Sequence, residues 1–226
     1  MFRYWKKNRR QIKMTITHLN RFHLNALHRG SKLSEVSLDN IYSKLVLILW
    51  VSLLEVEFNI LITEQNIFTQ TFILKNNISG KSEVGKWISL IDYFFKEQYF
   101  HKQDRELDII NLGDINYHRY ETLSRLIKDD LRPFIELRNR LAHGQWSVAF
   151  NCTAVERNQK LTTLIWSLSK KEIMLLKSFV ANVPILVRML ISSRNTFERD
   201  YDRYINRIIK AKHDADMKYR WILGMH

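Results

Sequence analysis

The chain has 226 residues, 46% of them hydrophobic, so it is long enough to bury one sizeable core. Only 6 Gly and 2 Pro are present, and this scarcity of turn residues disfavours a many-stranded β-sandwich or barrel and favours long helices. The single cysteine, Cys152, excludes an internal disulfide and a cysteine-based zinc cluster within one chain. The 8 His residues form no His-Glu-x-x-His pattern, and we expect neither a metal nor a cofactor.

The net charge of +13 is unevenly distributed along the chain. Residues 1–34 contain nine Lys or Arg and no acidic residue, which leaves only +4 (13 minus 9) for the rest. Aromatic residues are interleaved with these cations: Phe2, Tyr4, Trp5 and Phe22. This combination suits phosphate contact together with base stacking. A solvated basic helix face and a membrane-surface helix are the alternative interpretations.

The N-terminal sequence has positive charges but no apolar stretch after them, so it does not resemble a secretory signal. The strongest candidate for a membrane span, Leu45–Leu54, is about ten residues long and leads into Glu55 and Glu57, whereas a span needs roughly 20 apolar residues. A buried core helix explains this segment better. Together with the single cysteine, these features predict a cytoplasmic protein without a membrane partner.

Apolar residues recur every three or four positions over much of the chain, as they do in amphipathic helices. The first four predicted helices cover residues 10–28, 39–63, 82–99 and 116–128. The polar segments around residues 76–80 and 100–115 are predicted to be irregular. Pro133 disfavours helix at Arg132, so a fifth helix is predicted to begin there and to end near Gly144, a natural C-terminal cap.

After this helix, Trp146–Asn151 and Leu161–Trp166 are rich in β-branched and aromatic residues, which predicts two short strands that could pair as a β-hairpin. Ser169–Glu172 is a capping box that opens a sixth helix. Pro184 is expected to kink or split that helix. A final charged helix is predicted over residues 196–217. The predicted fold class is therefore all-α, with or without one short β-hairpin after the motif helix.

The segment Arg138–His143 contains the residue types that RNA cleavage without a metal requires. A base must take the proton of a ribose 2′-hydroxyl, a cation must stabilise the charge that develops on the phosphate, and an acid must protonate the leaving 5′-oxygen. A free histidine has a pKa of about 6.5 and can act as base or acid. Arginine can bind phosphate bidentately and stays charged. Asn139 can hold either partner by hydrogen bonds.

The spacing of Arg138 and His143 limits what one chain can do. Five positions correspond to about 140° around an ideal helix, so the two side chains do not share one face. Two such sets facing each other across a dimer would make a better site. An Arg followed by a His is a short motif and carries a high false-positive risk. In the other three Arg–His pairs of similar spacing, Arg21, Arg207 and Arg220 are followed by Phe, Ile and Trp, so among these pairs only Arg138 is followed by Asn.

The longer segment Glu136–Trp146, ELRNRLAHGQW, resembles the signature of HEPN-domain proteins, a helical superfamily with an Arg-Asn-x-x-x-His motif. A long helix with Trp50 and Glu55, followed by a helix with Lys86 and Trp87, is similar to the helix arrangement of such domains. The resemblance implies a helical bundle that dimerises through its motif helices. Many members are metal-independent endoribonucleases of toxin–antitoxin, abortive-infection or other antiviral defence systems, whereas others bind nucleotides or have lost activity.

The resemblance extends over residues 38–190, so we expect a HEPN-like helical domain there. A basic N-terminal helical arm at residues 1–37 and a charged C-terminal helix at residues 191–226 lie outside it. The implied partners are RNA, a second copy of the chain, and a cognate antitoxin or defence-system protein.

Arg138 and His143 match the catalytic pair of the family, and Asn139 matches the polar residue beside the Arg. The resemblance implies that His143 acts as general base or acid, that Arg138 stabilises the phosphate and that Asn139 positions them. The products would be a 2′,3′-cyclic phosphate and a 5′-hydroxyl. A nucleotide- or RNA-binding sensor that does not cut, and a purely structural dimerisation module, are the competing functions. For the Arg and the His themselves, the alternative is a surface Arg and a helix-end His that interacts with the helix dipole.

Four further residues are candidates for RNA binding or for support of the site: Arg140, Glu55, Gln145 and Trp146. Arg140 either contacts RNA from the rim of the site or is a solvated cation. Glu55 interrupts an apolar helix, and it either orients Arg138 through a salt bridge or faces solvent. Trp146 either packs in the core or in an interface, or stacks on a base.

Overall fold

The computed structural model describes residues 2–28, 35–64, 78–100, 105–150 and 156–222. About 89% of these residues are helical and none of them lies in a strand, which confirms the predicted all-α fold class. The α-helices are α1 (Phe2–His28), α2 (Glu35–Glu64), α3 (Glu83–Phe100), α4 (Ile109–Leu112), α5 (Asp114–Arg125), α6 (Arg132–Ala142), α7 (Gln159–Ser167), α8 (Lys170–Ser192) and α9 (Arg194–Ile222). A 3₁₀ turn, Ile78–Gly80, precedes α3, and a π-helical segment, Leu126–Leu131, joins α5 to α6. The predicted loop residues Asn76 and Asn77, and also Asn151 and Cys152, lie outside the described residues.

Helix α2 lies at the centre of the packing, in contact with α1, α6 and α8. Its apolar residues surround the helix on all sides, and a helix of this kind is stable in water only when neighbours cover it. Val51, Leu54 and Leu61 are accordingly buried. Helix α9 packs along α8 and adds Phe197 and Ile208 to the same core. Both terminal helices therefore pack against the central helices.

Helices α2 and α8 each contain an apolar stretch long enough to cross a membrane, over Ser37–Glu64 and Lys170–Ser192. Within these stretches, 61% and 56% of the most apolar window is buried inside the protein. Burial of this extent is what the core helices of a bundle have, because their neighbours replace water around them. It supports the interpretation of Leu45–Leu54 as part of a core helix.

Helix α1 runs antiparallel to α2. Arg9 Nε lies 2.8 Å from Glu57 Oε1 near one end of the pair, and His23 Nε2 lies 2.7 Å from Asp39 Oδ1 near the other. Between these contacts, Ile16 is buried against α2. The apolar spacing that predicted this helix therefore describes the face that packs on α2.

The fifth helix begins where the sequence predicted, because α6 starts at Arg132 with Pro133 in its first turn, but the predicted break before this helix is absent. Arg132 has φ −50° and ψ −46°, and helical backbone continues from α5 through the π-helical segment Leu126–Leu131 into α6. In an α-helix, the proline ring crowds the carbonyl four residues earlier and removes one hydrogen bond. The wider turn of a π-helix relieves this crowding just before the ring, so the chain needs no break.

The predicted strand over Leu161–Trp166 is also wrong, because this segment lies in α7. The side chain of Asn158 accepts a hydrogen bond from the Leu161 N–H at 3.0 Å and caps the helix. Leu161 and Ile165 are both buried, and their separation of four positions matches one face of a helix. Tertiary burial of this face outweighs the β-propensity of the residues.

The other predicted strand, Trp146–Asn151, forms only a single antiparallel bridge among the described residues, between Phe150 and Arg157. The Phe150 N–H, moreover, donates to the Gln145 side chain at 2.9 Å instead of to a second strand. Side-chain hydrogen bonds thus replace the ladder that a hairpin would supply. No hairpin is formed within residues 146–150 and 156–166.

Helix α8 begins at the predicted capping box. The Ser169 side chain accepts from the Lys171 N–H, and the Ser169 N–H donates to Glu172 Oε2 at 2.9 Å. Pro184 does not split the helix, which continues to Ser192. Pro184 and its neighbour Val183 are buried, and we attribute the continuity to this packing, which offsets the hydrogen bond that proline cannot donate.

Candidate functional site

Helix α6 carries the motif on an anchored support. Phe134, Leu137 and Leu141 are buried, and their spacing of three and four positions places them on one face, through which α6 packs on α2. Asn139 and His143 are exposed. The apolar face fixes the helix, and the polar residues of the motif lie around the rest of its circumference and at its end.

Gly144 ends α6 in the way that the sequence predicted. Its φ of +79° lies in the left-handed region, which glycine adopts without steric cost. The Gln145 N–H donates to the Arg140 carbonyl at 2.9 Å and the Gly144 N–H donates to the Leu141 carbonyl at 3.1 Å. This pair of hydrogen bonds is the Schellman motif, and it makes His143 the C-terminal cap residue of α6.

Gly144→Ala is expected to lower the free energy of unfolding by about 1–2 kcal/mol, because a left-handed backbone costs that much for a residue with a Cβ. No other atom lies within 4 Å of the added Cβ, so the expected loss of stability comes from the left-handed backbone conformation alone. Chemical denaturation measures the change. Gly80→Ala is the matched control, since its Cβ also meets no atom within 4 Å and its φ is not left-handed. Equal losses in the two variants would contradict the assignment.

Arg138 forms an ion pair with Glu55 of α2, through Nη2 and Oε1. The side chains are only 18% and 29% exposed, so the pair is largely screened from water. Burial lowers the pKa of the Arg138 guanidinium from its ordinary value, but arginine remains charged at neutral pH. The structure therefore supports the interpretation in which the Glu55 carboxylate orients Arg138, and not the one in which it faces solvent.

Arg138 and Asn139 line a surface cavity of about 500 Å³. Further walls come from Lys81 and Ser82, at the start of α3, and from Arg132 at the start of α6. Three cations and three carboxylates line the cavity: Lys81, Arg132, Arg138, Glu55, Glu83 and Glu136. Cations at this density suit a phosphate group, and carboxylates suit the hydroxyls of a sugar.

Arg138 Nε is buried and has no hydrogen-bond partner among the described residues. Buried polar groups without a partner are uncommon in folded proteins, and each calls for an explanation such as a ligand, a catalytic role or an ordered water. An anionic group that bound Arg138 in place of Glu55 could accept from both Nε and Nη2 in the bidentate arrangement that arginine offers.

His143 lies at the exposed end of α6 and is not among the residues that line the Arg138 cavity. This agrees with the five-residue spacing, which turns the two positions about 140° apart on a helix. The structure thus brings Arg138 together with Asn139 and Glu55, and it leaves His143 on a different side of α6. Within one chain, the two halves of the expected catalytic pair do not share one cavity.

The supporting residues of the motif mainly stabilise the turn after α6. Gln145 Oε1 accepts from the Phe150 N–H at 2.9 Å, and the Trp146 carbonyl accepts from Lys44 Nζ at 2.9 Å. Trp146 is half-buried and packs against the core, which agrees with its interpretation as a packing residue. Arg140 is half-buried, and its carbonyl belongs to the cap of α6.

Trp166 is a neighbour of the motif that the sequence did not indicate. Its ring is 58% exposed, and its Nε1–H donates to the Ser147 carbonyl at 2.8 Å. Lys44 Nζ lies 5.0 Å from the ring centroid, and burial lowers the pKa of Lys44. The ring is therefore held in a fixed position near the end of α6. An exposed ring held in this way is a surface on which a base can stack.

The only sequence signal for Lys44 is a charge inside an apolar run, and Trp166 has no signal because its contact depends on how α7 packs. Comparisons with protein-family models, curated proteins and solved structures found no match for this chain. The likeness to the HEPN signature therefore rests on the residues of Glu136–Trp146 themselves.

Proposed function

We propose that the protein is a metal-independent endoribonuclease of the HEPN type, which acts on RNA as a cytoplasmic homodimer in a toxin–antitoxin or antiviral defence system. One observation carries the proposal: the polar residues of the motif lie on a helix that is anchored in the core by its apolar face, and Arg138 is oriented by Glu55 beside an open cavity. A site that must hold reacting groups in a defined geometry needs this kind of rigid support.

Each residue of the motif has a separate role in the proposed reaction. The ribose 2′-oxygen attacks the adjacent phosphorus while its proton passes to a base, the bond from phosphorus to the 5′-oxygen breaks, and an acid protonates that oxygen. His143 is the proposed base or acid. Arg138 stabilises the negative charge on the phosphate, and Asn139 holds the reacting groups by hydrogen bonds. The products are a 2′,3′-cyclic phosphate and a 5′-hydroxyl.

The separation of Arg138 from His143 supports a site shared by two chains. In an isologous dimer, the same surface of each chain meets its counterpart. Pairing of the exposed faces and ends of two α6 helices would bring His143 of a second copy toward the Arg138 cavity. Such a dimer has two equivalent sites, and each site takes its Arg from one chain and its His from the other.

Mixing two inactive variants tests the shared site. Arg138→Ala and His143→Ala are each expected to be inactive alone, and their mixture after subunit exchange should recover about one quarter of wild-type cleavage. Half of the dimers are then mixed, and one of their two sites has both residues. The assay follows an end-labelled RNA in excess chelator and identifies the terminal groups of the products.

A mixture as inactive as its components would contradict the shared site. Loss of wild-type cleavage in chelator would contradict a metal-independent reaction. A wild-type protein that leaves RNA intact under all conditions would contradict the nuclease function as a whole. Light scattering on the same samples measures whether the chain forms dimers.

The size and lining of the Arg138 cavity favour a second candidate function. Ligand pockets commonly have volumes of roughly 300–1,000 Å³, and the cavity of about 500 Å³ with three cations lies in this range. A sensor that binds a nucleotide or RNA without cutting is therefore the alternative. It would give saturable binding that weakens steeply with salt and no product over time.

A further inference from the structure

Helix α1 carries all of its Lys and Arg residues on one face. They are Arg3, Lys6, Lys7, Arg9, Arg10, Lys13 and Arg21. At 100° per residue, these positions fall within about 160° of the helix circumference. The residues that pack toward the core, Ile12, Ile16 and Leu19, occupy a separate sector of about 60°, which adjoins the cations on the side of Arg9. We call the exposed side formed by these cations the cationic face.

The charge of the cationic face is almost uncompensated. Arg9 pairs with Glu57, whereas none of the other six cations has an acidic partner among the described residues, and all six are exposed. Helix α1 itself contains no Asp or Glu. Like charges this close repel one another, and their mutual repulsion disfavours the folded state until a polyanion approaches.

The shape of the cationic face suits a polymer. Lys6, Arg10, Lys13 and Arg21 line an open, shallow depression of about 580 Å³ on the surface of α1. From Arg3 to Arg21 the face extends about 27 Å along the helix, at 1.5 Å per residue. A nucleic-acid strand places several successive phosphates along such a length, whereas a single small anion would use only a fraction of it.

Two exposed aromatic residues border the cationic face. Tyr4 is 71% exposed and Phe22 is 66% exposed. They are 18 positions apart, which is five full turns, so they lie on the same side of the helix. Cations that contact the backbone and rings that stack on bases are the combination by which proteins bind single strands. In a duplex, the bases are already stacked on one another and cannot use these rings.

A lipid surface fits the structure less well. A helix that lies on a membrane inserts its apolar face between the lipids. The apolar face of α1 is already occupied, because Ile12, Ile16 and Leu19 pack against the rest of the protein. What remains exposed is the charged side with the separated apolar residues Tyr4, Met14, Phe22 and Leu24, and this side favours RNA over a membrane.

We propose that the cationic face of α1 is a binding surface for single-stranded RNA, distinct from the Arg138 cavity. Arg9 pairs with Glu57, and Arg138 pairs with Glu55. The two carboxylates are two residues apart on α2, so both surfaces lie at the same level along that helix and on nearly opposite sides of it. The surface goes beyond the proposed function, since it holds RNA whether or not the RNA is cut.

The test compares two fourfold variants with equal loss of charge. The first replaces Lys6, Arg10, Lys13 and Arg21 by Gln. The control replaces the exposed residues Arg125, Lys160, Lys177 and Lys210 by Gln. Both carry His143→Ala so that the RNA stays intact, and circular dichroism checks that both are folded. The binding of a labelled single-stranded RNA is measured by fluorescence anisotropy over a series of salt concentrations.

The α1 variant is expected to bind at least about tenfold more weakly at low salt, because four phosphate contacts are lost. The slope of log K against log salt should fall by about 2.8, at about 0.7 for each contact. The control should keep the slope of the parent. Equal slopes in the two fourfold variants would overturn the proposal, because binding would then depend on net charge alone. The outcome is independent of cleavage and separates this proposal from the nuclease function.

Two further measurements test the choice of a single strand. Tyr4→Ala with Phe22→Ala should weaken binding about tenfold without a change in the salt slope, because base stacking is lost while the phosphate contacts remain. Duplex RNA of equal length should bind more weakly than the single strand. Unchanged binding in the double variant, or tighter binding of the duplex or of phosphatidylserine vesicles, would overturn the assignment.

Discussion

His143→Ala is expected to lower the rate of RNA cleavage by about 10²–10⁴-fold, the contribution that a positioned general acid or base makes. His143 is exposed at the end of α6, so its removal leaves the core intact. The free energy of unfolding should therefore change by no more than about 0.5 kcal/mol. Cleavage of a labelled RNA in chelator, together with chemical denaturation, measures both quantities on the same preparation.

His213→Ala is the matched control for this substitution. His213 is also exposed on a helix and follows Arg207 at a similar spacing, but the residue after that Arg is Ile208 instead of Asn. It should cleave RNA at the wild-type rate. A comparable loss in both variants would point to an indirect effect, and full activity of the His143 variant would remove this residue from the proposed reaction.

Leu137→Ala is expected to lower the free energy of unfolding by about 2–5 kcal/mol, the range for removal of a buried leucine side chain. Leu137 is fully buried beneath the motif and anchors α6. The loss combines the transfer of the side chain out of the core with the cavity that it leaves. Chemical denaturation of the variant and the wild type measures the difference.

Leu24→Ala removes the same atoms from an exposed position, where the side chain is 55% exposed. It should change the free energy of unfolding by no more than about 0.5 kcal/mol. A small loss for Leu137→Ala, close to that of the control, would mean that α6 is not anchored through this residue. The His143 and Leu137 substitutions thus separate the chemistry of the motif from its support.

The all-α fold was predictable because it depends on interactions within one or two turns of chain. The capping box at Ser169 and the left-handed cap at Gly144 each involve residues at most five positions apart, and the apolar spacing predicted α2 and the larger part of α1. Local hydrogen bonds and side-chain spacing of this kind leave a direct pattern in the sequence.

The errors in the predicted elements arose where packing overrules local preference. Leu161–Trp166 has the composition of a strand, but burial of Leu161 and Ile165 together favours a helix. Pro133 disfavours helix at the residue before it, but the π-helical segment that precedes it accommodates the ring. Neither the buried face nor the wider turn can be read from the residues in a local window.

For the candidate site, the sequence by itself determined which side-chain groups Arg138, Asn139 and His143 offer and their place at the end of a helix. The contacts that define the surroundings of the site were decided only by the tertiary structure. Lys44 donates to the Trp146 carbonyl across 102 positions, and Trp166 donates to the Ser147 carbonyl across 19. The pairing of Arg138 with Glu55 likewise joins two helices. The energy of such contacts depends on how whole helices pack, so short patterns in the sequence do not record them.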